Sequence, residues 1–332
     1  MLVAAVVLGA CSPRLERHEF RRVVMGVEAH LTLFARGEAA AQAAARGAFA
    51  RMAEIEQAMS DYRATSEVSR LSEAAGVQWS PAGRDLRHVL AVAARVSEAS
   101  GGAFDVTVGP AVIAWRTARR SGQLPAVDDV ARLRGLIDWR AVEVDDARAL
   151  ARLTRPGMRL DLGGIAKGYG AAEGLRAMRA HGVTRAMVAL AGDVALGEPP
   201  PGEQGWRVQV APGPGLPASG VLVLRGVNVS TSGDAEQFIE IGGVRHAHIV
   251  DPRTALGVTS RMAVTVVEAD PAACDALATA ACVMEPGAVA AMLERFPRAS
   301  AILHRIEAGE VRVTRLEPRH GRGGAWHPLP GR

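Results

Sequence analysis

Helix-patterned and strand-patterned segments follow one another along this 332-residue chain without strict βαβ alternation. That order argues for an α+β architecture in one body, with mixed or antiparallel sheets and packed helices. "HEFRRVVMGVEAHLTLFA" alternates well enough to predict a strand pair turning at Met25-Gly26. Ala39–Met59 has helical periodicity, with Ala48, Met52, Ile55, Ala58 and Met59 on one face. Ser80 and Pro81 predict the start of a helix reaching about Ser100. A further helix is expected from near Ala111, and short helices and strands alternate over 128–155. "RAMVALAGDVALG" reads as a buried strand and turn, and strands are expected in "WRVQVAP", "GVLVLRGVNVSTSG" and "RMAVTVVEA". Hairpins are expected around Gly242-Gly243 and in "SAILHRIEAGEVRVTRLE". Pro271–Glu285 reads as a helix, and a second helix follows Gly287.

The hydrophobic fraction is 48% and the charged fraction 22%, as expected of a globular chain long enough to bury a large core. The net charge of +4 is spread thinly, and no Lys/Arg run is interleaved with aromatics. Nucleic acid is therefore not an expected partner. Leu2–Ala10 is apolar but too short to span a bilayer. It ends in "LGAC", which resembles a bacterial lipobox, although no Lys or Arg precedes the run. The expectation is a lipoprotein signal over residues 1–10, a lipid anchor on Cys11 and a tether over 11–18. The folded body would cover 19–318, followed by a basic tail at 319–332. Such a chain would sit in the cell envelope, anchored to the membrane and facing the periplasm. Cys274 and Cys282 lie eight residues apart in one predicted helix, about 12 Å between Cα atoms, too far for a disulfide.

Lys167 is the only lysine in a chain that otherwise uses arginine, and it sits in "RLDLGGIAKGYGAAEG". Gly163, Gly164, Gly168 and Gly170 surround it, with a helix expected to follow and run to His181. Glycines let backbone N–H groups approach a phosphate, and a helix N-terminus favours an anion. Lysine brings a compact point charge where arginine needs a planar fork of space. The stretch matches neither the P-loop nor the GxGxxG pattern, so a tight packing turn explains it almost as well. In "DPAACDALATAACVMEP", Asp275 and Thr279 are one helical turn apart among alanines. A carboxylate and a hydroxyl suit a hard cation such as Mg²⁺. An ordinary amphipathic helix would also carry such a pair.

"RHAHIVDPRT" places His246 and His248 two apart, on one face if both lie in a strand. No third nitrogen or sulfur ligand is evident, so a general base near neutral pH is the better functional reading than a zinc site. "GGAFDVTVGP" offers the Phe104 ring and the Asp105 carboxylate, and Tyr62 in "MSDYRATSEVSRLS" offers a ring that can stack on a flat ligand.

Taken in order, these stretches together with "STSGDAEQFIE" resemble the ApbE family, the FAD:protein FMN transferases, from about Met25 to Pro286. The resemblance implies an ApbE-like, T-fold-related body with a ligand cleft. It implies Mg²⁺ held by Asp275, Thr279 and the Ala166 carbonyl. The flavin nucleotide would meet Met25, Tyr62, Ala103, Phe104, Asp105, Gly163, Lys167 or Tyr169, and Ile249, with His248 at the reacting phosphate. The catalytic set would be His248, Asp275 and Lys167. The implied reaction moves FMN from FAD to a threonine or serine hydroxyl of a target protein and releases AMP. Implied targets carry a flavinylation motif and include membrane redox subunits. Departures from the family pattern bear on loop geometry: "LAGDV" has Ala191 where glycine is usual, and "DPRTALGV" lacks the usual Gly-x-Pro. "SRLS" ends in Ser72 where Asn is common, and Val106 stands where Pro is frequent. A Mg²⁺-dependent FAD pyrophosphatase would share these motifs. A non-enzymatic, lipid-anchored flavin carrier would not need the Asp275/Thr279 pair.

Overall fold

Two strands, β1 (Glu16–Val24) and β2 (Val27–Ala35), open the fold as a hairpin in which Val24 faces Val27. Its loop is Met25-Gly26, both at positive φ (53° and 75°), as a tight two-residue hairpin turn requires. The computed structural model describes residues 14–210, 218–233, 238–307, 310–318 and 325–328. The lipobox and Cys11 lie outside the described residues, as do positions 319–324 of the basic tail. β1 takes in residues 16–18, which the sequence assigned to a tether, because Glu16, Arg17 and His18 pair with Ala35, Phe34 and Leu33.

The chain continues through α1 (Glu38–Met59), α2 (Glu67–Glu73), β3 (Ser80–Pro81), α3 (Arg84–Ala99), α4 (Gly109–Ser121) and α5 (Val127–Arg134). Helix α3 begins later than Ser80-Pro81 predicts, because those two residues pair with Ala151 and Leu150 and Gly83 becomes the N-cap. Next come β4 (Val142–Asp145), β5 (Leu150–Leu153), α6 (Ala166–Ala180), β6 (Ala186–Leu190) and β7 (Asp193–Leu196). Then follow β8 (Trp206–Val210), β9 (Gly220–Leu224), β10 (Asn228–Gly233), β11 (Phe238–Ile241) and β12 (Val244–Ala247). The last elements are β13 (Val250–Asp251), β14 (Leu256–Gly257), β15 (Met262–Glu268), α7 (Pro271–Ala281), α8 (Pro286–Leu293), β16 (Ser300–Glu307), β17 (Glu310–Leu316) and β18 (Ala325–Pro328). β18 pairs antiparallel with β9, so the segment assigned from sequence to a basic tail at 319–332 includes a sheet strand.

The main sheet has eight strands in the order β1-β2-β6-β7-β10-β15-β16-β17, and every neighbouring pair is antiparallel. The architecture is α+β with packed helices, as the order of segments implied. α6 packs on β6, β7 and β10, while α7 packs on β10 and β15. α1 covers α6, and α3 covers α7, so the α6–α7 pair is held between the sheet and a second helical layer. The largest core includes Leu86, Val89, Leu160, Ile165, Val264 and Leu277, all buried.

α7 is fixed at its start by Asp270, whose carboxylate accepts from Ala272 N and Ala273 N, both at 3.1 Å, with Pro271 in the first turn. It stops at Ala281 rather than at Glu285, which instead caps α8. Cys274 and Cys282 are buried and form no disulfide, as the spacing implied.

Candidate active site

Two helices touch at a glycine. A Cβ on Gly168 of α6 would lie 2.6 Å from the Pro271 carbonyl oxygen and 2.9 Å from Asp275 Cβ on α7. Only hydrogen fits there, so α6 and α7 approach until the Gly168 N–H donates to Asp275 Oδ2 at 3.1 Å. Gly164 makes the same concession to Thr279, whose Oγ1 would stand 2.9 Å from a Cβ at that position. The lysine stretch turns at 163–165 and is helical from Ala166 onward, so Lys167, Gly168 and Gly170 lie in the helix rather than in a turn before it. Gly164, Gly168 and Gly170 serve close approach, to Thr279, to Asp275 and to Met25.

That contact gathers a charged cluster. Lys167 Nζ donates to the Gly163 carbonyl at 2.7 Å and stands 3.3 Å from Asp193 Oδ2 and 3.8 Å from Asp275 Oδ2. Asp193 arrives at the start of β7, and Ser230 on β10 donates to its Oδ1 at 2.6 Å. Thr279, one turn beyond Asp275, donates to the Gly164 carbonyl at 3.4 Å and lies 3.4 Å from Ser232 Oγ. These are long hydrogen bonds, so the hydroxyl is only lightly engaged.

Asp275 and Asp193 are 1% and 3% exposed. Two buried carboxylates thus share one ammonium, leaving one negative charge in excess if all are ionised. Burial, then repulsion from Asp193, hold the Asp275 carboxyl well above the usual carboxylate range. Burial acts to lower the Lys167 pKa, but Asp275 and Asp193 outweigh it and raise it. An excess of buried negative charge on hard oxygen donors fits a small divalent cation, which would relieve it. Among the described residues no three His, Cys, Asp or Glu side chains form a metal cluster. A cation here would draw on Asp275, the Thr279 hydroxyl and backbone carbonyls. Ala166, whose carbonyl the sequence reading nominated, opens α6 next to Lys167.

The remaining sequence candidates fall into three groups. Near the cluster, Met25 lays its sulfur against Gly170 of α6 and donates its N–H to Glu56 at 3.1 Å. Gly163 donates its N–H to Asp161 Oδ1 at 2.8 Å and gives its carbonyl to Lys167. Tyr62 is 77% exposed, with the Arg116 guanidinium 4.3 Å from its ring centre. The second group is buried: Ala103, Phe104 and Ile249 belong to the same core as Ala166. Asp105 is buried beside them, and its carboxylate is occupied by Thr107 N, Thr107 Oγ1 and Trp139 N at 2.7–2.9 Å, so it shapes the loop. Burial pushes its pKa up. In the third group, Tyr169 lies two residues past Lys167 and so on another face of α6. Its hydroxyl donates to Asp85 at 2.7 Å, within a network that also holds Arg51 and Glu173.

The two histidines do not share a face. β12 ends at Ala247, so His246 is buried against Trp115 while His248 is exposed at the bend leading to β13. Asp193, Ser230, Asp161 and Arg116 escaped the reading of the sequence. The "AGD" between two strand-like runs was the one available signal, since a carboxylate just past a hairpin turn is held by both strands.

A family model described as "ApbE family" matches residues 25–303. Curated relatives include the FAD:protein FMN transferase of Treponema pallidum, 30% identical, covering 89% of this chain and 87% of its own. The FAD:protein FMN transferase of Klebsiella pneumoniae is 30% identical over 76% of this chain and 78% of its own. Among solved structures, the apo Pseudomonas stutzeri flavinyl transferase ApbE is 25% identical with a TM-score of 0.79, covering 91% of this chain and 95% of its own. The Vibrio cholerae flavin transferase ApbE has a TM-score of 0.81 at 22% identity, over 92% of this chain and 98% of its own.

Proposed function

The chain belongs to the ApbE family and is a flavin transferase, and from that premise we propose that it moves the FMN part of FAD onto a serine or threonine hydroxyl of a target protein, with Mg²⁺ bound and AMP released. The observation that carries the reading is the α6–α7 contact, which sets a buried carboxylate pair and one lysine beside a hydroxyl and the backbone carbonyls that Lys167 and Thr279 touch.

Asp275, Thr279 and the Ala166 carbonyl would hold Mg²⁺. Bound there, the ion supplies charge neutralisation at the diphosphate oxygens. Lys167, pinned by Gly163 and Asp193, offers a fixed positive charge to the same anion without needing to reorganise. Met25, Tyr62, Ala103, Phe104, Gly163 and Ile249 are the nucleotide-facing set in this reading, while Asp105 shapes the loop behind them and Tyr169 is turned to the Asp85 network. The buried members shape the wall and Tyr62 offers a stacking face.

His248 would take the proton from the target hydroxyl onto an imidazole nitrogen. The hydroxyl oxygen then bonds to the FMN phosphorus. The bond from that phosphorus to the bridging oxygen breaks, and AMP leaves with the electron pair. A lipid anchor on Cys11 would hold the enzyme at the membrane facing the periplasm, where membrane redox subunits carrying the motif would be its targets.

The test mixes the protein with FAD, Mg²⁺ and a fusion carrying the flavinylation motif. Flavin fluorescence on the denatured target supports transfer. FMN and AMP in solution beside an unlabelled target would instead mark a pyrophosphatase, and unchanged but bound FAD a carrier.

A further inference from the structure

We propose that Arg116 is a positioning residue for the nucleotide site: it ties the exposed Tyr62 ring to the Asp161–Lys167 segment and thereby sets affinity for FAD. The inference rests on the reading above and adds to it a residue from α4, an element to which that reading assigned no role.

The contacts form an unbroken chain. Arg116 spans two carboxylates, Asp61 Oδ2 at 2.5 Å and Asp161 Oδ2 at 3.1 Å. Asp61 precedes Tyr62, and the same guanidinium lies 4.3 Å from the Tyr62 ring centre. Asp161 passes the connection on, since its Oδ1 accepts from Gly163 N at 2.8 Å and the Gly163 carbonyl accepts from Lys167 Nζ at 2.7 Å. One planar cation therefore links an aromatic on the loop after α1 to the lysine on α6.

The link matters because Tyr62 has little else to hold it. A ring that is 77% exposed is not fixed by core packing. Left alone, it would sample several rotamers, and ordering it would weaken binding of any flat ligand that stacks there. A guanidinium held by two carboxylates removes that freedom in advance, because a cation favours a fixed place on the ring face. Arg116 is itself well restrained, with its side chain 28% exposed and Asp161 at 13%. Lysine cannot replace it: a single ammonium does not span two carboxylates in a fork while lying flat on a ring.

The experiment measures FAD affinity by isothermal titration calorimetry, together with KM and kcat for transfer, on the full chain. Arg116→Met should weaken FAD binding and raise KM at least tenfold while kcat stays within about threefold, and Arg116→Lys should not restore it. Tyr62→Leu should weaken binding to a similar degree. The Arg116→Met/Tyr62→Leu double variant should be no worse than either single one, because the arginine acts through the ring. Asp61→Asn retains the arginine and removes one anchor, so it gives an intermediate loss even where Arg116→Met folds poorly. Arg119→Met, an exposed charge on the same helix, should change nothing. Unchanged FAD affinity in Arg116→Met, full rescue by lysine, or additive losses in the double variant would each overturn the proposal. Failure of the wild type to transfer FMN while still binding FAD would overturn the proposed function instead, and the binding arm would still decide the role of Arg116.

Discussion

Gly168→Ala puts a single methyl group where α6 meets α7. The new carbon would stand 2.6 Å from the Pro271 carbonyl oxygen and 2.9 Å from Asp275 Cβ. Ordinary carbon contacts lie at about 3.5–4.0 Å, so the helices must part by about 0.6–1 Å at the crossing. The expected stability change is small, because overpacking costs about 1–3 kcal/mol and the better helix propensity of alanine returns about 1 kcal/mol. The net loss, about 0–2 kcal/mol, lowers the melting temperature by a few degrees. Function should suffer far more. Asp275 would move relative to Lys167 and lose the Gly168 N–H, and a displacement near 1 Å can cost about 10²-fold in rate. Calorimetric melting, Mg²⁺ titration and the rate of target labelling separate the two effects. Gly287→Ala is the control: it is exposed in α8 with no atom within 4 Å of a new Cβ, so it should stabilise by about 0.5–1 kcal/mol and leave activity intact. Wild-type labelling and wild-type Mg²⁺ affinity in Gly168→Ala would refute the claim that helix contact builds the site.

Mg²⁺ affinity should depend on pH through Asp275, whose carboxyl is pushed up to about 7 in the metal-free protein. The ion needs the carboxylate, so affinity should fall about tenfold per pH unit below that value and level off above it, as calorimetry across pH 5–8 would show. The sign for folding is the reverse of an ordinary paired aspartate. The native state holds this proton longer than the unfolded chain, so with chelator present this group's contribution to thermal stability declines from about pH 4 to about pH 7. Ala191, at φ 52° in the β6–β7 turn, occupies a left-handed position that favours glycine. Ala191→Gly should therefore raise stability by about 0.5–1 kcal/mol by denaturant titration, with Asp193 still in place. Lys167→Arg should cut transfer strongly, because the longer planar fork cannot occupy the space between Gly163, Asp193 and Asp275; transfer at the wild-type rate would contradict the role given to the compact charge. His248→Ala should stop transfer while FAD still binds, and an unchanged rate would rule it out as the base.

Much of the fold was legible where local chemistry decides structure. Asp270-Pro271 announces the start of α7, and the Met25-Gly26 and Gly242-Gly243 turns announce their hairpins. The start of α6 was not, because glycines in "GGIAKGYG" read as turn residues while Gly164 and Gly168 are small for the sake of α7, more than a hundred positions away. The pairing of Asp275 with Thr279 was readable from helical spacing. Their joining to Lys167 and Asp193 was not, since it depends on how β7, β10 and two helices meet. For the same reason the Asp61–Arg116–Asp161 bridge carries no local signature, and the end of β12 after Ala247 separates two histidines that spacing alone put together.

The most direct test of the account is the stoichiometry of one reaction containing the protein, FAD, Mg²⁺ and a target bearing the flavinylation motif. Intact-mass measurement of the target and quantification of AMP are made on the same sample. The account predicts one FMN joined to a serine or threonine of the target for each AMP released, and neither product with Asp275→Ala. Free FMN accumulating in step with AMP while the target mass stays unchanged would contradict it.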